Sequence, residues 1–137
     1  MPYQTFDHTA DLGILVQAES PVALFEEAAR ALSAQSCGPR AFAATGETRI
    51  SVTGRDWPDL MINWLRELLY LVNGKSLVFG PVGIHKLKEF SLDAVVPVDN
   101  AGCAPHDMLN EIKAVTYHQL QVEPSDDGWQ ARIIFDI

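Results

Sequence analysis

Apolar residues along the chain repeat with two different periods, and the switches between them predict its elements. Tyr3 to Phe6 and Leu12 to Ala18 read as extended, apolar-punctuated segments. Ser20-Pro21 then signals a helix start, with a side chain able to cap the free N–H groups and a proline where its missing N–H costs nothing. Val22, Phe25, Ala28, Ala29 and Leu32 recur at helical spacing until Gly38-Pro39, while Glu26, Glu27 and Arg30 fall on the solvent side. Residues 39–46 are small and irregular and predict a loop. A strand follows over Glu47 to Thr53, where Ile50 and Val52 alternate with Arg49 and Ser51.

Asp56, Pro58 and Asp59 predict the start of a second helix, an acid there meeting the positive end of the helix dipole. Its wide apolar face runs through Leu60, Met61, Trp64, Leu65, Leu68, Leu69 and Val72 to a stop at Asn73-Gly74, so Trp64 belongs to the core. Leu77 to Phe79 predicts a short strand. A longer one follows, with Phe90, Leu92, Ala94 and Val96 on one side, and Pro97 to Leu109 reads as a long irregular loop. The last third predicts a strand pair, Glu111 to Val122 and Trp129 to Ile137, joined through Glu123 to Gly128. Trp129, Ala131, Ile133 and Phe135 share one face of the final strand, leaving Arg132 and Asp136 on the other. The expected class is α+β, with two helices packed on a mixed, largely antiparallel β-sheet in two layers.

Composition adds limits. The 137 residues suit a single domain spanning 1–137, and 47% hydrophobic content supplies a core without structural zinc or a disulfide framework. A net charge of −8 argues against direct gripping of a phosphate backbone, which depends on Lys and Arg displacing counterions. RNA would be met only indirectly, through a partner. Cys37 and Cys103 have no neighbour at metal-ligand or redox spacing and read as reduced thiols of a cytoplasmic protein. No stretch is long and apolar enough for a membrane span, and the N-terminus carries no secretory pattern.

The chain lacks a Gly-rich phosphate loop, a paired Cys-x-x-Cys, a His-Glu-x-x-His and a nucleophile elbow. Attention falls on His8-Thr9-Ala10-Asp11-Leu12-Gly13, polar groups at the junction of two strands, and on Phe135-Asp136-Ile137, where the sequence stops directly on a predicted strand. If the two meet, the side chains of Asp11 and Asp136 and the Ile137 carboxylate converge. Such a set needs a proton, a cation or a basic side chain to offset its charge. Its oxygen donors suit Mg2+ or Ca2+ rather than zinc or copper. Lys113 could reach the same area. Blander readings stand beside these: a plain turn with Asp11 or Thr9 bonding its own backbone, and a cross-strand Asp136–Lys113 pair.

Taken in order, five segments bear a further likeness: His8-Thr9-Ala10-Asp11-Leu12-Gly13, Leu24-Phe25-Glu26-Glu27-Ala28-Ala29, Trp64-Leu65-Arg66-Glu67-Leu68-Leu69-Tyr70-Leu71, Lys113-Ala114-Val115-Thr116-Tyr117-His118 and Asp136-Ile137. Together they resemble the archease family over essentially the whole chain. The resemblance implies an accessory factor without stand-alone activity. Its partner would be an RtcB-type RNA ligase of tRNA splicing or RNA repair, joining RNA with a 3'-phosphate or 2',3'-cyclic phosphate to a 5'-hydroxyl end. It implies promotion of GMP transfer from GTP onto the ligase, so that GTP acts through the partner, and repeated turnover. It places metal-binding acids at Asp11 and Asp136, a terminal carboxylate at Ile137 and an essential lysine at Lys113. The loop Val98 to His106 departs from the family pattern, which often carries a Gly-Glu pair ahead of a His. That departure leaves the role of His106 open, and His8 and His118 are left open between ligand and hydrogen-bonded strand end. Other readings of the same residues are an independent metal-dependent phosphoesterase and a general chaperone or modulator of RNA-modifying enzymes.

Overall fold

The computed structural model describes residues 2–8 and 11–137, the side chains of Asp7 and His8 excepted. Thr9 and Ala10 of the N-terminal motif therefore lie outside the described residues. Two strands, β1 (Tyr3–His8) and β2 (Asp11–Ala18), precede helix α1 (Pro21–Ser36). β3 (Gly46–Thr53) leads to helix α2 (Trp57–Asn73), then come β4 (Val78–Phe79), β5 (Gly83–Lys88) and β6 (Ser91–Asp99). The hairpin of β7 (Ala114–Ser125) and β8 (Gly128–Asp136) completes the chain.

Both helices start as their sequences dictate. The Ser20 hydroxyl accepts a hydrogen bond from the Ala23 N–H at 3.1 Å, and the Asp56 carboxylate accepts one from the Asp59 N–H at 2.9 Å. Asp59 in turn accepts from the Arg55 N–H and from the Tyr117 hydroxyl. These bonds favour its charged form, so its pKa is lowered, the Arg55 N–H contributing most.

The strands form two sheets in which every pairing is antiparallel. One has the order β1-β2-β8-β7; in the other, β6 is central, with β3 on one edge and β5 and β4 sharing the opposite one. Each helix touches strands of both sheets, α1 against β2 and β5, α2 against β7 and β3. The α+β class with helices on antiparallel sheet is thus as expected, and the strands divide over two sheets. Trp57 at the start of α2 joins the layers, its ring 6.0 Å from Phe25, 5.1 Å from Phe90 and 5.5 Å from Trp129. Trp64 is fully buried, its indole N–H donating to the Phe25 carbonyl at 2.9 Å. Among the described residues no helix is long and apolar enough to cross a membrane.

Three differences from the sequence reading have physical causes, two of them local and one set by the closed fold. β5 shows no period-two signal because its ladder to β6 shifts register between Ile84 and Lys86, placing Ile84 and Leu87 three apart. The loop expected from Pro97 begins later, since β6 runs on to Asp99. That buried carboxylate accepts from Arg40, from the Ala43 N–H and from the Ala101 N–H, the last of which contributes most to its lowered pKa. The third difference is a correction: Cys37 and Cys103 are not reduced thiols but a disulfide, with Cα atoms 6.0 Å apart. Their separation of 66 residues hides the pairing from any reading of spacing. The fold joins them by setting the end of α1 against the loop after β6. In the chain-entropy account, closing a loop of that length restricts the unfolded chain by about 4 kcal/mol.

Candidate functional site

The β2–β8 ladder pairs Asp11 with Asp136, Leu12 with Phe135, Gly13 with Ile134 and Ile14 with Ile133. Because side chains alternate, Leu12, Ile14, Phe135 and Ile133 face the helices, while Asp11, Gly13, Ile134 and Asp136 lie on the opposite face, where Ile134 is also buried. At Gly13 of β2 another side chain lies on the backbone. The Phe6 ring of β1 occupies the space a Cβ would need, and Arg132 covers that ring at 4.2 Å from its centroid. An aromatic lid of this kind accounts for a glycine inside a strand.

The two acids expected to meet do so in the strict sense of register: Asp11 stands directly opposite Asp136. Side chains so placed begin about 5 Å apart at Cβ, and like charges there repel. The register extends the row across the sheet, His8 of β1 opposite Asp11 and Ala114 of β7 opposite Asp136. Asp136 and Ile137 are exposed, and Asp11 is half-buried. Among the described residues no three His, Cys, Asp or Glu side chains gather as a metal site. Among the described residues the register brings together two carboxylates, and carboxylate oxygens fit a hard cation such as Ca2+ or Mg2+ better than a soft one.

Lys113 reaches this end of the ladder from the other side of the sheet. Its N–H donates to the Asp136 carbonyl at 2.7 Å, fixing its main chain beside the acids. Its exposed side chain lines a groove of about 410 Å³ against α2, with Arg66, Leu69, Tyr70 and Asn73. That groove has no acidic lining residue, although the chain carries 18 acids against 10 bases. Arg66 lies over the Tyr117 ring at 5.3 Å and Lys75 over the Tyr70 ring at 5.9 Å, so the cationic groups are held against aromatic faces. The sheet end therefore separates the acid pair from a basic groove, and Ile137 follows one residue beyond Asp136.

The histidines divide. His8 is opposite Asp11 by backbone register, and its side chain lies outside the described residues. His118 is exposed on β7 inside an irregular stretch of the β7–β8 ladder between Thr116 and Gln121. His106 belongs to a 3-10 turn (Pro105–Asp107), its imidazole 3.6 Å from Asp107, in the loop near the end of α1. Sequence reasoning missed Arg66 and Tyr70 as neighbours of Lys113. Their only signal was that Arg66 and Tyr70 stand off the apolar stripe of α2, four residues apart and hence on one face.

With this geometry in place, similarity to known proteins falls in one direction. The sequence profile of the Archease protein family (MTH1598/TM1083) matches residues 3–137. The protein archease of Methanosarcina mazei is 32% identical over 139 aligned residues, covering 98% of this chain and 95% of its own. That of Methanopyrus kandleri is 30% identical with both chains covered completely. The solution structure of protein 1598 from Methanobacterium thermoautotrophicum superposes with a TM-score of 0.80 at 27% identity, covering 99% of each chain. A crystal structure from Thermotoga maritima, described as an archease and possible chaperone, shares the fold with a TM-score of 0.61 at 22% identity, covering 98% of this chain and 96% of its own.

Proposed function

The chain belongs to the archease family, and from that premise we propose that it is a cytoplasmic accessory protein that activates an RtcB-type RNA ligase. It promotes GTP-dependent guanylylation of the ligase and its repeated turnover in tRNA splicing or RNA repair. The observation that carries this reading is the register that sets Asp11 directly opposite Asp136, two carboxylates at one end of the sheet. Asp11, Asp136 and the Ile137 carboxylate are the residues that would hold a divalent cation, Ca2+ or Mg2+. A cation bound there would offset the charge of the carboxylates.

The protein's own residues do the rest. Strand pairing fixes the spacing of the two carboxylates, so no conformational search is needed before a partner docks. Lys113, anchored through its N–H to the Asp136 carbonyl, presents an ammonium group toward phosphate oxygens of GTP in the ligase pocket. The net charge of −8 suits a partner surface basic enough to hold RNA, and leaves RNA binding to that partner. No covalent step falls to the chain itself, and no stand-alone activity is part of the proposal.

The test is a guanylylation assay with the cognate ligase and radiolabelled GTP, with and without the protein. Asp11→Ala, Asp136→Ala and Lys113→Ala should each lose nearly all stimulation while keeping the circular dichroism spectrum and melting temperature of the parent. A few residues added after Ile137 should weaken stimulation by removing the terminal carboxylate. Full stimulation by either aspartate variant overturns the metal-centred reading. Hydrolysis of nucleotides or RNA in the absence of ligase would instead support an independent phosphoesterase.

A further inference from the structure

The segment from Asn100 to Lys113 crosses the molecule from the end of β6 to the end of the β8 ladder. It functions as a strap whose far end is the main chain of Lys113. At its start, Asp99 is fastened to Arg40 and to the Ala43 N–H. Midway, the Gly38 N–H donates to the Asp107 carbonyl at 2.7 Å, the Leu109 N–H to the Ser36 carbonyl at 3.2 Å, and the Asn110 side chain to the Gln35 carbonyl at 2.9 Å. At its end, the Asn73 side chain donates to the Ile112 carbonyl and the Lys113 N–H to the Asp136 carbonyl. The Gly38 and Leu109 bonds form a single antiparallel bridge between Cys37 and Met108, and no longer ladder holds the strap.

Packing holds the strap weakly. Met108 is 49% and Leu109 58% exposed, and Ile112, at 2%, is its one buried apolar side chain. A cavity of about 40 Å³ lined by Cys37, Cys103, Met108, Asn73 and Ile112 lies beneath it. Segments with few buried apolar contacts and scattered hydrogen bonds open at much lower free energy than the core around them. The Cys37–Cys103 disulfide is the covalent tie that closes this gap. It joins the strap to the C-terminal end of α1, whose helical face is packed in the core.

We propose that the Cys37–Cys103 bond is a thiol–disulfide exchange site, open to a dithiol reductant, that sets how firmly the strap holds Lys113 against the end of β8. Cys103 is half-exposed and Cys37 only 9% exposed, so the incoming thiolate attacks the Cys103 sulfur. The S–S bond breaks, and Cys37 leaves as a thiolate and takes a proton. The second thiol of the reductant attacks the mixed disulfide and releases Cys103, also as a thiolate that is protonated. Two electrons pass from the dithiol, which ends as a disulfide, to the two cysteines. The oxidised form keeps Lys113 registered on Asp136; the reduced form leaves it to the hydrogen bonds and the buried Ile112 side chain.

The clamp stands on the strap geometry, and only its effect on ligase stimulation rests on the function proposed above. Native protein treated with dithiothreitol should show two titratable thiols per chain. Amide hydrogen exchange in peptides covering 104–113 should then accelerate by about tenfold or more, with α1 and β6 unchanged. The double variant Cys37→Ser/Cys103→Ser should match the reduced protein and ignore reductant. Failure to release thiols under native conditions, an unaltered strap after reduction, or acceleration spread over the whole chain overturns the proposal. In the ligase assay the reduced form should stimulate several-fold less than the oxidised one. Stimulation by neither form counts against the ligase reading alone, because the thiol count and exchange data decide the clamp.

Discussion

The two faces of the β2–β8 ladder share one backbone and one register, yet they obey different rules. On the inner face Leu12, Ile14, Ile133 and Phe135 meet the helices, the last three wholly buried, and any change of volume there must be absorbed by neighbours packed as densely as a crystal. On the outer face the same strands carry Asp11 opposite Asp136 and a glycine under an aromatic ring. One face is built for stability. The other sets two carboxylates side by side, an arrangement that like-charge repulsion makes costly unless a partner or a cation offsets it.

The contrast can be attacked by substitution. Phe135→Ala should have the largest effect, lowering stability by about 3–5 kcal/mol in urea denaturation, since it removes a fully buried ring beside the site without touching an acid. Gly13→Ala comes next. Its Cβ meets the Phe6 ring, so the ring must leave Arg132 or the strand must shift, at a cost of about 1–3 kcal/mol. By contrast, Asp136→Asn without added cation should leave the urea midpoint unchanged or slightly raised, because it removes one of two facing charges. A large loss there would show that the outer face is structural after all.

The smallest effect concerns acid, and it separates carboxylates of the framework from those of the site. Asp99 and Asp59 have pKa values lowered from 3.8, chiefly by the Ala101 and Arg55 N–H groups respectively. Their stabilising contribution is complete above the unfolded value and is lost as pH falls through the lower folded values. Between about pH 5 and pH 3, Asp99→Asn should therefore lose less stability than the parent chain. An identical acid slope in the two proteins would remove Asp99 from the account.

How much of this could be read beforehand depends on whether the signal is local. The caps Ser20 and Asp56, the stripe through Trp64 and the inward set Trp129, Ala131, Ile133 and Phe135 rest on near neighbours in sequence, and the structure places them as their spacing implies. β5 was invisible because a register shift breaks its period. The disulfide was invisible because only the closed fold brings Cys37 to Cys103. The acid pair was suggested by the two ends of the chain, yet the division between its face and the Lys113 groove was not. Lys113 and Val115 share the helix-facing side, whereas Ala114 lies in the row of the acids, and one residue of pleat sends the lysine to the other surface.

The bulge in β7 has a consequence of another kind. β7 is an outer strand of its sheet, and between Thr116 and Gln121 its pairing with β8 is interrupted, with Gln119 at a φ of 52°. Unpaired N–H and C=O groups along a straight outer strand invite a second molecule to add its own strand. A strand that buckles midway offers no continuous template for such zippering. The irregularity thus acts as a guard against fibrous self-association, leaving the sheet end beside it free to meet a different protein.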